Sequence, residues 1–196
     1  MDNALEKAKE LRIWLHERTN GLHLPSNDRI RIAGPVLHLA LEHHDAIIVL
    51  LCARLYGSAF ALARLLIEAY ARGIWLLNFA SDAELQKYMK GKCPEFYEVL
   101  NKIGDDPETG GAWLKGIKEK NWAFFNELTH GGACQVIRRN TEEAIESAYP
   151  EEERSRLLQL SSEVAIGVAA QLFAAAGEEL LLTQLEEKMT AIREQS

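Results

Sequence analysis

Three charged residues interrupt the otherwise apolar segment ARLLIEAYARGIWLL at residues 63–77. Arg64, Glu68 and Arg72 are spaced by four, which places them along one side of a helix. A helix that is apolar around most of its circumference is normally buried, and a buried charge needs a partner or a function. The three residues therefore form either two ion pairs on a solvated face, a buried structural network, or a site for chemistry.

The preceding apolar segment also carries polar residues along one side, at His38, Glu42 and Asp45. If the two segments form an antiparallel helical hairpin, Glu42 faces Arg72 and Asp45 lies near Glu68. We therefore predict a semi-buried polar cluster, with His38 at its edge, whose members are Arg64, Glu68, Arg72, Glu42 and Asp45.

Such a cluster has three chemical interpretations. Carboxylates and histidines on facing helices can hold metal ions, but the repeated Glu-x-x-His pairs of such sites are missing and the arginines repel a cation. We therefore predict no metal and no cofactor. Glu68 or His130 could instead act as a general acid or base while an arginine holds an anion. A structural ion-pair network that fixes the helix register is the interpretation we prefer.

The segment NELTHGGACQVIRR, at residues 126–139, places His130 at the end of a predicted helix, just before two glycines. The helix dipole favours the protonated form of a histidine at this end. The histidine is either part of an ordinary helix end or a functional group beside a flexible turn, with Arg138 and Arg139 as anion ligands. The candidate catalytic residues are Glu68, His130 and Arg138.

The elements that must position these residues are helices, because no alternating strand pattern with turn dipeptides occurs. The sequence predicts an all-α fold in which residues 1–196 form a single-domain bundle of about seven helices. Glycine, proline and capping residues predict the helix boundaries. The predicted spans are 2–20, 26–56 with a kink or split at Gly34-Pro35, 58–80, 81–90, 94–103, 112–129, a short helix after Thr141, and a long C-terminal helix over 150–193 that bends near Gly167 or Gly177.

Composition limits the class of protein. With 47% hydrophobic and 26% charged residues, the chain has the balance of a soluble globular domain. A net charge of −7 argues against a general nucleic-acid-binding surface. The three cysteines share no CxxC spacing, which favours reduced thiols in the cytoplasm. We predict no signal peptide and no membrane span, because the apolar stretch Val164–Gly177 is shorter than the ~20 residues a span needs.

The stretch YGSAFALARLLIEAYARGIWLL (56–77), together with NELTHGGACQVIRR, resembles an uncharacterised bacterial all-α family. In that family a helix with the pattern GSA-x-A-L-x-R-x-x-x-E-A-Y-x-R-G-x-W-L precedes an HGG segment and then Q-x-x-R. The resemblance covers most of the chain and supplies no known activity. More distantly, the helical layout is similar to HEPN-type domains, some of which are ribonucleases in toxin–antitoxin and phage-defence systems. The residues that carry the family pattern are Arg64, Glu68, Arg72, His130, Gly131, Gly132, Gln135 and Arg138.

These observations predict that the protein is a binding or regulatory module, with a small anionic ligand or RNA as its partner. Small residues in GVAAQLFAAAG (167–177) allow close helix approach, either between copies in a homo-oligomer or within one chain. The alternative is an enzyme, a HEPN-like ribonuclease or another hydrolase that uses His130 with Glu68 and an arginine. The two interpretations differ in whether His130 and Arg138 converge with Glu68 on an open pocket.

Overall fold

The structure is a computed structural model that describes residues 2–107 and 109–194; helices joined by loops make up this part of the chain, and its one β-type pairing is an isolated bridge. The predicted all-α class is confirmed, although the helix count of about seven is too low. The described residues form nine α-helices: α1 (Asp2–Thr19), α2 (Asp28–Cys52), α3 (Tyr56–Ile74), α4 (Asp82–Met89), α5 (Phe96–Ile103), α6 (Gly111–Thr129), α7 (Ala133–Ile137), α8 (Glu151–Ala176) and α9 (Glu179–Glu194).

Helices α2 and α3 form the predicted antiparallel hairpin at the centre of the molecule. Gly73 allows their close contact, since a Cβ at this position would lie 2.5 Å from Leu37 Cδ2. Helix α8 packs against α1, α2 and α3, while α6 packs on another side of α3. Twelve of the 19 residues of α3 are buried, so its charged and polar side chains must find their partners inside the protein.

Two features of the central hairpin differ from the prediction. Helix α2 continues through Pro35 and is not split there. Pro35 is exposed near the start of the helix, so it removes one hydrogen bond while Ala33 and Leu37 remain packed in the core. After Ile74, the last turns change to a π-helix over Trp75–Phe79, which ends before the capping box of α4 at Ser81.

The chain after α6 was predicted less well. The short helix expected after Thr141 is absent, and α7 instead begins directly after the glycine pair. Residues 141–150 are irregular, with a single bridge between Asn140 and Ile145. The long C-terminal helix ends at Gly177, whose φ of 74° is left-handed, and α9 starts separately at Glu179.

Helices α2 and α8 are long and apolar enough to cross a membrane by length and composition, with 39% and 50% of their apolar windows buried in the fold. Core helices of soluble proteins meet the same criteria. The cytoplasmic location therefore stays a prediction.

Candidate functional site

Glu68 is the centre of the charged series on α3. Its Oε1 accepts a hydrogen bond from Arg64 Nε at 2.8 Å, and its Oε2 accepts one from Arg72 Nη1 at 2.5 Å. The Glu68 side chain is only 11% exposed, and each arginine side chain is 25% exposed. Both carboxylate oxygens are thus satisfied within the helix, which offsets the cost of burying the charge.

Arg64 links this carboxylate to α6. Its Nη1 donates to Asn126 Oδ1 at 2.7 Å and lies 3.1 Å from His130 Nε2, while the guanidinium covers the Trp122 ring at 5.0 Å. Because an arginine can only donate, His130 Nε2 is the acceptor when this contact is a hydrogen bond. We call Arg64, Glu68, Arg72, Asn126 and His130 the Glu68 cluster.

Arg72 extends the Glu68 cluster toward the loop between α4 and α5, where its guanidinium also interacts with Cys93. Burial acts to lower the pKa of Arg72, but the hydrogen bond and charge of Glu68 outweigh it, so the pKa is raised. Arg72 therefore remains a cation, and its charge is matched by Glu68.

Glu42 and Asp45 do not join the cluster, contrary to the sequence prediction. Asp45 Oδ2 instead lies 3.2 Å from Arg12 Nε of α1, and Glu42 and His38 are exposed. The reason is the orientation of α2, because the side that contacts α3 is apolar, as the packing of Leu37 on Gly73 shows. The polar stripe of α2 consequently faces solvent and α1.

Arg138 and Gln135 lie in a separate polar group at the end of α7. Arg138 forms a two-point ion pair with Glu153 of α8, at 2.8 and 2.7 Å. Gln135 Nε2 donates to the carbonyl oxygens of Gly57 at 3.0 Å and Leu128 at 2.8 Å, and its Oε1 accepts from the Tyr149 hydroxyl. These contacts join α3, α6, α7 and the start of α8.

The predicted convergence of catalytic candidates is therefore only partial. His130 approaches Glu68 through Arg64, whereas Arg138 is paired with Glu153. Within the described residues, no group of three or more His, Cys, Asp or Glu side chains is placed to hold a metal ion. The predictions of no metal and no cofactor remain predictions.

A large concave site lies elsewhere and was not predicted from the sequence. A groove of about 960 Å³ runs between α1, α8 and the start of α6, with Met189 of α9 at its border. We call it the α1–α8 groove. Its lining is mainly apolar, and its apolar members include Ala4, Ala8, Leu11, Trp113, Leu158 and Ile166.

Tyr70 of α3 supplies the one deeply buried polar side chain in the described lining that lacks a partner. The residue is 6% exposed, and its hydroxyl has no hydrogen-bond partner among the described residues. Burial raises the pKa of the phenol to about 12, so it stays protonated at neutral pH. Gly167 of α8 lies against the hydroxyl, and the Trp113 ring meets the phenol edge-on at 6.5 Å.

A second, smaller pocket of about 430 Å³ lies between the start of α3 and the turn before α7. Gly57 borders it and is closely covered, since a Cβ there would lie 2.5 Å from Arg139 Nη2. Gln135 also lines this pocket, but its amide is already hydrogen-bonded within the protein. The pocket therefore offers less unused polar chemistry than the α1–α8 groove.

One further signal was available in the sequence. Trp122, Asn126 and His130 repeat the spacing of four seen in Arg64, Glu68 and Arg72, so both helices present matching stripes. Aligning the two stripes would have identified the partners of Arg64. No comparable signal marks the α1–α8 groove, because its walls come from segments far apart in the chain.

Comparison with known proteins gives a family but no activity. The Family of unknown function (DUF6988) matches residues 37–195, which include the Glu68 cluster, Tyr70 and all of α8. No curated protein and no solved structure matches the chain. Membership in an uncharacterised family is thereby confirmed, whereas the bacterial origin and the HEPN similarity stay predictions. The chain belongs to the family of unknown function DUF6988.

Proposed function

We propose that this protein binds a small organic molecule in the α1–α8 groove. The observation that carries the proposal is Tyr70, a residue only 6% exposed, whose hydroxyl lies against Gly167 at the groove and forms no hydrogen bond within the described residues. A ligand acceptor that reaches this hydroxyl would form a net hydrogen bond worth roughly 0.5–1.5 kcal/mol. The volume of about 960 Å³ falls within the roughly 300–1,000 Å³ common for ligand sites.

This proposal keeps the binding role inferred from the sequence and moves it to a different site. In the Glu68 cluster, both oxygens of Glu68 already accept from arginines, and Arg64 occupies His130 Nε2. Few groups remain there to bind a small anion or RNA. We assign the cluster the structural role of joining α3 to α6.

The ribonuclease or hydrolase alternative has less support. Its discriminating observation was the convergence of His130 and Arg138 with Glu68 on an open pocket, and Arg138 is instead bound at two points by Glu153. The test is RNA degradation by the purified protein and growth arrest on its expression, each compared with His130→Ala. We expect that His130→Ala changes neither RNA degradation nor growth. A loss of RNA cleavage in this variant would restore the enzyme interpretation.

Homo-oligomer formation also stays a proposal. Within one chain, Gly167 packs on Tyr70, and Ala169 and Phe173 are fully buried, so part of the small-residue stretch serves intramolecular packing. Light scattering coupled to size exclusion measures whether the chain also associates.

The experiment for the binding function is an NMR screen of a small-molecule library containing neutral, anionic and cationic compounds. Ser162 lines the groove, and Ser162→Phe would fill it without replacing a core residue. The control is Ser147→Phe at an exposed position outside the groove. We expect compounds that bind the wild type and the control but not Ser162→Phe. A screen without such compounds would overturn the proposal.

A further inference from the structure

The charged side chains around the α1–α8 groove give it no preference for either sign of charge. The described lining contains two basic residues, Lys7 and Arg156, and two acidic residues, Glu152 and Glu163. Arg156 Nη2 lies 2.6 Å from Glu152 Oε1, and Glu163 Oε1 accepts from Gln159 Nε2 at 2.9 Å. Lys7 also has an interaction partner within the protein. Because the two basic and two acidic side chains of the described lining balance, a charged ligand would lose hydration without gaining a net counter-charge.

The polar amides and the threonine in the lining also have partners. Gln171 Oε1 accepts from Asn78 Nδ2 at 3.0 Å, and Thr109 Oγ1 donates to the Asp106 carbonyl oxygen at 3.4 Å. Ser155 and Ser162 of the lining are only half-buried, so the most deeply buried polar group left for a ligand is the Tyr70 hydroxyl. A protonated phenol donates one hydrogen bond, so a ligand acceptor such as a carbonyl oxygen complements it.

The walls beside this hydroxyl suit a flat ring. The Tyr70 and Trp113 rings meet at 76°, forming a corner of two aromatic surfaces. Aromatic rings prefer offset-stacked or edge-to-face contacts, and a planar ligand in this corner makes one of each. Trp113 is 36% exposed without such a ligand, which leaves its ring available to cover one.

Resting on the proposed function of the groove, we infer that its ligand is an uncharged, planar aromatic molecule with one hydrogen-bond acceptor that reaches Tyr70. The balanced charges of the lining predict that the ligand is uncharged, the Tyr70 hydroxyl predicts its acceptor, and the aromatic corner predicts its planar ring. The apolar side chains of Leu11, Leu158 and Ile166 complete the contact surface.

The test uses four compounds that share one ring system and differ in charge and acceptor. These are 2-acetylnaphthalene, naphthalene, 2-naphthoate and 2-naphthylmethylammonium, titrated into the whole protein and its variants by NMR. We expect 2-acetylnaphthalene to bind at least about tenfold more tightly than either ion. Tyr70→Phe should weaken 2-acetylnaphthalene about three- to tenfold and leave naphthalene unchanged, because only the hydrogen bond is removed.

The outcomes separate this inference from the proposed function. If an ion binds most tightly, and Ser162→Phe abolishes its binding, the ligand class is wrong while the groove remains a binding site. The ligand class is also wrong if none of the four naphthalene compounds binds while other library compounds bind the groove. Equal affinity of 2-acetylnaphthalene for wild type and Tyr70→Phe overturns the assigned acceptor. If nothing binds the groove, both proposals fail.

Discussion

Gly167 of α8 lies directly against the hydroxyl of Tyr70, so closely that a Cβ at position 167 would overlap the phenol oxygen. This contact brings α8 onto α3 and leaves the hydroxyl at the floor of the α1–α8 groove without a partner in the described chain. The packing of two core helices and the proposed ligand site therefore depend on the same pair of residues.

The first prediction concerns this contact. Gly167→Ala should lower the free energy of unfolding by about 1–2 kcal/mol, because overpacking outweighs the better helix propensity of alanine. Tyr70→Phe should reduce this cost without abolishing it, since the ring carbon Cζ would also lie only 2.8 Å from the added methyl group. Urea denaturation measures both effects.

The matched control for this substitution is Gly116→Ala in α6, where a Cβ would have open space. We expect it to stabilise the protein by up to ~1 kcal/mol through helix propensity alone. Equal effects of the two substitutions would contradict the close packing of Gly167 on Tyr70.

The second prediction concerns Glu68. Glu68→Ala leaves two half-buried arginines without their carboxylate, and we expect a loss of about 3 kcal/mol in the free energy of unfolding. Glu6→Ala removes an exposed ion pair with Lys9 and should cost less than ~0.5 kcal/mol. Similar losses in the two variants would mean that the Glu68 cluster does not stabilise the fold.

The third prediction is a pH dependence that arises from His44. The residue is fully buried, and neither ring nitrogen has a hydrogen-bond partner in the described chain. Burial, assisted by the charge of Arg12, lowers the pKa of His44 from 6.5 to about 4. Between these two values the unfolded chain binds the proton and the folded protein does not, so stability falls as the pH falls.

The loss should reach about 3 kcal/mol between pH 7 and pH 4, measured by urea denaturation across this range. His44→Phe should remove that part of the pH dependence, whereas His23→Phe at an exposed position should leave it unchanged. A His44→Phe variant with the same pH dependence as the wild type would contradict this assignment.

The fourth prediction concerns Gln135, which joins α3, α6 and the segment before α8 through three hydrogen bonds. Gln135→Ala should cost about 2 kcal/mol, because buried carbonyl oxygens lose their donor. Gln159→Ala removes one exposed hydrogen bond and should change stability by less than ~0.5 kcal/mol. In Gln135→Ala, amide hydrogen exchange should accelerate most around α7. A uniform acceleration along the chain would contradict the role of Gln135 in joining these segments.

Much of the fold could be predicted from the sequence because helix periodicity and caps are local. The capping box at Ser81 and the helix end at His130 appear where the sequence predicts them. The errors lie where tertiary packing decides, as in α2, where the register against α3 turns Glu42 and Asp45 away from Glu68.

The part of the candidate site that depends on local helix spacing was also predictable from the sequence. Arg64, Glu68 and Arg72 pair within one helix, so their spacing was sufficient. The unpartnered hydroxyl of Tyr70 could not be recognised, since it depends on the meeting of α1, α3, α6 and α8. In the sequence, Tyr70 is an ordinary aromatic residue of an apolar helix, and only the burial around it makes it distinctive.

The most direct test of the ligand inferred for the α1–α8 groove is a titration of 2-acetylnaphthalene into ¹⁵N-labelled protein, followed through the tryptophan indole signals. We expect a saturable shift of the Trp113 signal, no shift of Trp122 in the region of the Glu68 cluster, and loss of the effect in Ser162→Phe. A Trp113 signal that does not move, or that moves equally in Ser162→Phe, would contradict this inference.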